Sequence, residues 1–407
     1  MVASARPMGG TAAVTEIAHS ARAARVLREA EHFYAARLDD SWVPSYLRER
    51  GFDATVATEW RIGYAPSGWT TLTDHLLGLG HHRADIEAAG LTRRSRRGTL
   101  IDHFRDRAML AIRRPDGPIA GFIARARPGS GPGAPKYLNS PETAAYKKGD
   151  VLFGLYEVRE RLAHGAIPVI VEGPFDAIAA NLADARYAGV APCGTALTRR
   201  QVAALGKYAD LRNTGVLVAL DGDKAGHDAA VKAYDILRTA TARTVAVVLP
   251  AGRDPAQIVQ ADGPVALASA LRAGARPLAS LVIDARLGQW GRRLDDPAGQ
   301  LYAMRDVAAL VASIVPAEAA ARILQISRGQ NVSSLDEKLH PLAVPELPQI
   351  ARVLPADLAC QIVRVADRLG FSCYSDILAE ITNAVVRAGH AKRPARWNTD
   401  KRPDHAQ

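Results

Sequence analysis

The stretch IPVIVEGPFDAIAANLAD, residues 167–184, decides how the chain is read. It opens with a five-residue apolar run, turns at Glu172-Gly173-Pro174, and continues with helical spacing. An apolar strand followed by an amphipathic helix is the unit of a parallel sheet covered on both faces. The unit recurs downstream. Tyr187–Ala191 precedes the helix pattern LTRRQVAALGKYA (197–209), and GVLVAL (215–220) precedes KAGHDAAVKAYDILRTA (224–240). RTVAVVL (243–249) precedes GRDPAQIV (252–259).

Acidic residues punctuate the ends of these strands. Glu172 follows the first, Asp221 and Asp223 follow the third, and Asp254 lies a few residues beyond the fourth. Asp176 sits in the first turn of the helix after Glu172. Parallel strands end along one edge, and right-handed crossovers keep them there, so these carboxylates are expected to converge. Clustered carboxylates stay ionised together only beside positive charge. Hard oxygen ligands of this kind suit Mg²⁺ or Mn²⁺ and a phosphoryl-transfer site. Asp-Gly-Asp by itself is also a common turn. An EF-hand fails, because Ala225 and Lys232 stand where acids are needed. A phosphate-binding GxxxxGK[ST] loop and a GxGxxG dinucleotide turn are both missing after the first strand.

Upstream, FRDRAMLAIRRPDGPIAGFIARA (104–126) reads as two strands around an Asp-Gly turn, followed by the Gly/Pro loop PGSGPGAP (128–135). Arg105, Arg107, Arg113, Arg114, Arg125, Arg127, Lys136, Lys147 and Lys148 crowd this span, with Tyr137 and Tyr146 among them. Such cations position phosphates and such aromatics stack on bases; a solvated charged face is the alternative. Short helical patterns run from Glu31 to Gly51 and through WTTLTDHLLGLG and RADIEAAGL, and the basic TRRSRRG (92–98) reads as a loop. Beyond about Arg276 the pattern is all-helical, and the last residues, 391–407, are basic and expected to be disordered.

The 407 residues carry 52 Lys and Arg against 42 Asp and Glu, a net charge of +10, which fits a polyanionic partner. At 48% hydrophobic residues, the chain is not a wholly disordered one. Three cysteines, without CxxC spacing, argue against a disulfide framework and a zinc site and for a reducing, cytoplasmic setting. No apolar run is long enough for a membrane span, and Glu16, His19 and Arg22 interrupt any signal-peptide core.

VIVEGPFDAI, GTALT, VALDGDKAGHDAA and DPAQIV together resemble the TOPRIM domain of bacterial (DnaG-type) DNA primases. YLRERGF, FRDRAMLAI, GFIAR and KYLNSPET…KKGDVLFGLYE are similar to the N-terminal half of the same enzymes' RNA-polymerase domain, in the same order. The resemblance covers roughly residues 30–335. It implies an α/β fold with an α+β part: a flexible tail (1–28), a mixed N-terminal subdomain (29–160), a TOPRIM parallel sheet flanked by helices (161–275) and a helical C-terminal subdomain (276–390). It implies primer synthesis from nucleoside triphosphates on single-stranded DNA. Glu172, Asp221, Asp223, Asp176 and Asp254 match its Mg²⁺ or Mn²⁺ ligands. Lys136, Tyr137, Asn139, Lys148, Arg107, Arg125 and Lys224 match positions facing nucleotide and template. The family's DPD is Asp254-Pro255-Ala256 here, so one acid is missing. No zinc-ribbon Cys/His array is present, so no zinc is expected in this chain, and a replicative helicase or a separate zinc-domain protein is the partner implied. A TOPRIM nuclease, and a catalytically weak DNA-binding scaffold, are the alternatives.

Overall fold

The computed structural model describes residues 10–295, apart from 132, 193, 195, 220–223, 242, 248 and 251–252, together with Ala303, Asp306, Val307 and Leu310. Two compact units divide at Leu278/Ala279.

The first unit begins with α1 (Gly10–Ala35). Within the flexible or partly helical tail expected over 1–28, the residues from Gly10 onward are helical. Ala23, Val26, Leu27, Ala30, Phe33 and Tyr34 form one buried stripe at spacings of three, four and one residues. Three short helices, α2 (Val43–Glu49), α3 (Ala54–Glu59) and, after β1 (Gly63–Ala65), α4 (Thr71–Gly78), lead to α5 (Arg83–Ala88). The basic stretch expected as a loop is a hairpin of β2 (Thr92–Arg94) and β3 (Leu100–Asp102), anchored by buried Thr92, Ile101 and Asp102.

The long strands β4 (Arg107–Arg113) and β5 (Ile119–Ala126) pair antiparallel across the Pro115–Pro118 turn, as the Asp-Gly signal requires. With β6 (Tyr137–Asn139) they form a four-stranded sheet in the order β1-β4-β5-β6. Ala108, Leu110 and Ile112 of β4 enter one core cluster, and Met109 and Ala111 enter the other with α1 and α4. The sheet is therefore buried on both faces, at the two-residue period of a strand.

A 3₁₀ turn (Lys148–Asp150) and α6 (Leu155–Ala163) connect to the second sheet. Its strands are β7 (Ile167–Ile170), β8 (Tyr187–Val190), β9 (Val216–Val218), β10 (Thr244–Val247) and β11 (Ala275–Pro277), in the order β11-β10-β9-β7-β8. The first four are parallel, as the apolar runs predict, and β11 adds an antiparallel edge not anticipated from the sequence. Between them run α7 (Pro174–Ala183), α8 (Arg199–Leu205), α9 (Leu211–Thr214), α10 (Lys224–Leu237), α11 (Pro255–Asp262) and α12 (Pro264–Ala273). One core cluster joins Leu110, Ile112 and Ile123 of the first sheet to Val169, Phe175, Ile178 and Leu217 of the second. The two sheets thus share a hydrophobic interior within this unit.

The second unit takes up nearly all of α13 (Leu278–Trp290) and a 3₁₀ turn (Gly291–Asp295). Arg286 there pairs with Asp306 at 3.3 Å. The rest of the helical segment expected over 276–390, and the tail 391–407, lie outside the described residues. No described helix is long and apolar enough to cross a membrane.

Candidate active site

The acidic rim begins with strand register. Val169 and Ile170 of β7 lie opposite Leu217 and Val218 of β9, and the Ala219 N–H continues the ladder to the Ile170 carbonyl at 2.9 Å. The two strands therefore leave the sheet side by side. Glu172, just past β7, is exposed at that edge. Asp221 and Asp223 come next after β9 in the sequence and lie outside the described residues. Lys224 is the first residue of α10.

Asp176 and Asp254 hold helix starts. Asp176 is buried, and its two carboxylate oxygens accept from the Gly173 N–H at 3.1 Å and the Ala256 N–H at 3.2 Å. One side chain thereby ties the first turn of α7 to the first turn of α11. Asp254 caps α11 by accepting from the Gln257 N–H at 2.6 Å, while Gln257 accepts from the Asp254 N–H at 2.8 Å. This reciprocal capping box was legible in Asp254-x-x-Gln257. The Asp176–Ala256 bond thus holds the start of α11 beside the start of α7, and Asp176 and Asp254 have backbone partners that the metal-ligand assignment did not anticipate. The Ala256 side chain, where the expected second acid is missing, is fully buried beside Asp176. Among the described residues, no three His, Cys, Asp or Glu side chains converge to hold an ion. An exposed carboxylate at a strand end is nevertheless a hard oxygen donor of the kind that suits Mg²⁺ or Mn²⁺.

The basic strip lies against this rim. Tyr137 on β6 is half-buried, and its hydroxyl comes within 3.8 Å of where a Cβ on Gly173 would stand. Burial first, and the charge of Asp176 second, push the phenol above its ordinary pKa. Tyr137 is therefore wedged between the two sheets' elements and is not an open stacking platform. The Arg125 guanidinium lies 5.2 Å from the Tyr137 ring, and its Nε donates to the Tyr46 hydroxyl at 3.2 Å. Exposed Lys136 lies over the same ring at 5.9 Å. Arg50 reaches both Tyr46 (5.6 Å) and Phe175 (5.9 Å), and Phe175 stacks on Phe52. An aromatic bed thus runs from α2 to α7 beneath a row of cations.

Asn139 accepts at its carbonyl from His103 Nε2 at 3.1 Å. Its amide nitrogen is 3.3 Å from where a Cβ on Gly194 would stand, so it reaches the loop before α8. Lys148 opens the 3₁₀ turn and is half-buried. Arg107, expected to face the cleft, is buried instead. It donates to the Ala124 carbonyl at 3.3 Å and the Pro135 carbonyl at 3.0 Å, pinning the Gly/Pro loop to β5. Burial and the neighbouring Arg125 lower its pKa.

One residue escaped the sequence reading. Trp69, before α4, is 61% exposed, with the Arg105 guanidinium 3.6 Å from its ring centre. A large exposed aromatic with a cation on one face is a surface for stacking. In the sequence Trp69 opens WTTLTDHLLGLG, where the helical pattern reads it as one more apolar residue. Two described cavities, of about 640 and 590 Å³, flank Lys207 and Tyr208, and neither is lined by the rim acids.

Residues 33–159 match the family "DNA primase catalytic core, N-terminal domain", and residues 169–259 match "Toprim-like". The DNA primase of Mycolicibacterium smegmatis is 38% identical over 291 residues, 70% of this chain and 45% of that protein. The DNA primase of Salmonella typhimurium is 31% identical over 314 residues, 76% of this chain and 52% of that protein. The chain thus spans about half the length of these curated relatives. The RNA polymerase domain of Mycobacterium tuberculosis primase DnaG superimposes with a TM-score of 0.63 at 34% identity, covering 75% of this chain and 98% of that one. A DnaG primase catalytic domain bound to single-stranded DNA superimposes with a TM-score of 0.64 at 28% identity, covering 76% of this chain and 99% of that one. With matching sheets, matching motifs and near-complete coverage of a solved polymerase domain, the chain belongs to the DnaG-type DNA primase family, through its catalytic core.

Proposed function

We propose that this chain synthesises short RNA primers on single-stranded DNA by divalent-metal-dependent nucleotidyl transfer. One observation supports the reading above the others. Tyr137 spans from the Arg125–Lys136 strip to the Gly173–Asp176 turn, so these cations lie beside the turn that carries Glu172 within a single unit.

In this reading Glu172, with Asp221 and Asp223, would hold Mg²⁺ or Mn²⁺. A bound ion of this type supplies charge neutralisation on phosphates and a lowered pKa for the attacking hydroxyl. Lys136 and Arg125 hold phosphate oxygens of the template, and Lys148 holds those of the triphosphate. Asn139 orients the nucleotide from β6. Trp69, with Arg105 on one face, leaves its other face for a template base. Asp176 keeps the first turns of α7 and α11 together and Asp254 caps α11, which fixes the turn that carries Glu172. The nuclease alternative gives the KYLNSPET strip no task.

The test is incubation with single-stranded DNA, the four NTPs and Mg²⁺. Lengthened RNA products are expected, with a loss of more than about a hundredfold in Glu172→Gln and Asp221→Asn and DNA binding retained. Shortened DNA, or undiminished synthesis by both variants, would reject the reading.

A further inference from the structure

We propose that Gln201 is a positioning residue that presents Lys148 to the triphosphate. The proposal rests on the phosphate-binding reading of Lys148 given above.

Gln201 begins as half of a capping box on α8. Its N–H donates to the Thr198 hydroxyl at 3.1 Å, and its side-chain oxygen accepts from the Thr198 N–H at 3.0 Å. Such a residue can serve its helix from the surface, yet Gln201 is fully buried. Its Nε2 carries two hydrogens, and both are used far along the chain. One goes to the Lys148 carbonyl at 3.0 Å and the other to the Val151 carbonyl at 2.8 Å. The Thr198 hydroxyl donates to the Gly149 carbonyl at 2.6 Å. Three carbonyls in the 3₁₀ turn and the residue after it therefore end on two side chains at the start of α8.

The opposite side of Lys148 is also held. Its N–H donates to the exposed Glu142 carboxylate at 2.9 Å. The peptide groups before and after the Lys148 Cα are thus both fixed by side chains, while its ammonium enters no described ion pair. The loop entering α8 also meets Asn139 through Gly194. One helix start therefore touches both the Asn139 and the Lys148 ends of the nucleotide strip. A satisfied buried amide sets a single arrangement, because each lost partner leaves a desolvated polar atom behind. Fixing the Lys148 backbone narrows where its ammonium can reach, so less ordering is needed when it meets a phosphate.

The experiment measures the affinity of the full chain for mant-ATP with Mg²⁺, and for single-stranded DNA, in Gln201→Leu, Glu142→Leu, Lys148→Ala and each pairwise combination with Lys148→Ala. Thermal unfolding checks folding; Glu142 is exposed, so Glu142→Leu carries the test should Gln201→Leu not fold. Both leucine variants are expected to weaken mant-ATP binding by about tenfold or more. That loss should largely vanish in the Lys148→Ala background, and DNA affinity should stay unchanged. An equal loss in both backgrounds, a parallel loss of DNA affinity, or no loss would overturn the positioning role. If Lys148→Ala itself binds mant-ATP as the wild type does, the phosphate-binding reading of Lys148 fails first, and the proposal with it.

Discussion

Asp176 matches an acidic position of the family's pattern, yet both of its oxygens already accept from backbone N–H groups, those of Gly173 and Ala256. The bond to Ala256 joins residues 80 positions apart, so the carboxylate acts on fold as well as on charge. Asp176→Ala leaves both N–H groups without that acceptor, at about 1–3 kcal/mol each. Asp176→Asn retains one acceptor oxygen and should lose roughly half as much. Urea denaturation ranks them; an alanine variant as stable as the wild type would remove the capping role. The position of Glu172 was legible because it follows from chain direction alone. The burial of Arg107 was not. β4 is covered on both faces, so its sequence lacks the polar alternation that separates a buried cation from an exposed one. The second use of Gln201 was equally hidden, since a capping box announces its helix but not a turn some fifty residues upstream.

At the scale of elements, the parallel strands and the β4–β5 hairpin were readable because apolar runs and an Asp-Gly turn are local signals. The elements that escaped are those held by their neighbours. The buried stripe of α1 opens on Ala23 and includes Ala30, two small residues that carry little periodic contrast. The strands β2, β3 and β11 have three residues each and exist through their pairing. Strand β6, also three residues long, was quoted only as a motif. It pairs with β5 on one side, and on the other its Asn139 carbonyl meets the His103 ring. A carbonyl can only accept, so Nε2 carries the proton of that bond. Burial first, with Arg93 and Arg107 adding to it, lowers the His103 pKa below its ordinary 6.5, against the opposing bond to Asn139. The folded state then binds this proton more weakly than the unfolded one. The contribution to stability is complete above pH about 6.5 and is lost as pH falls through the folded pKa. His103→Gln should therefore show a flatter stability profile than the wild type on the acid side of 6.5, measured by denaturant titration at each pH. Parallel profiles for the two proteins would contradict this.

For the whole molecule, the excess of +10 is not spread evenly in its effect. Many exterior arginines are matched: Arg186 with Asp184 at 2.8 Å, Arg238 with Asp235 at 3.2 Å, Arg114 with Asp116 at 2.6 Å. Such pairs screen each other and offer little to a phosphate. Arg105, Arg125 and Lys136 enter no described ion pair and lie against aromatic rings. If these three each neutralise one phosphate, the logarithm of single-strand affinity should fall with the logarithm of salt by about 0.7 for each. Replacing all three with alanine should then reduce the slope by about 2, whereas replacing Arg186 and Arg238 should leave it unchanged. Trp69→Ala separates stacking from charge: about 1–3 kcal/mol of affinity should be lost at every salt concentration, with the slope preserved. Fluorescence anisotropy with a labelled oligonucleotide, repeated over a salt series, reads all three outcomes. A slope that responds equally to the matched and unmatched arginines would mean that net charge, and not this cleft, attracts the template.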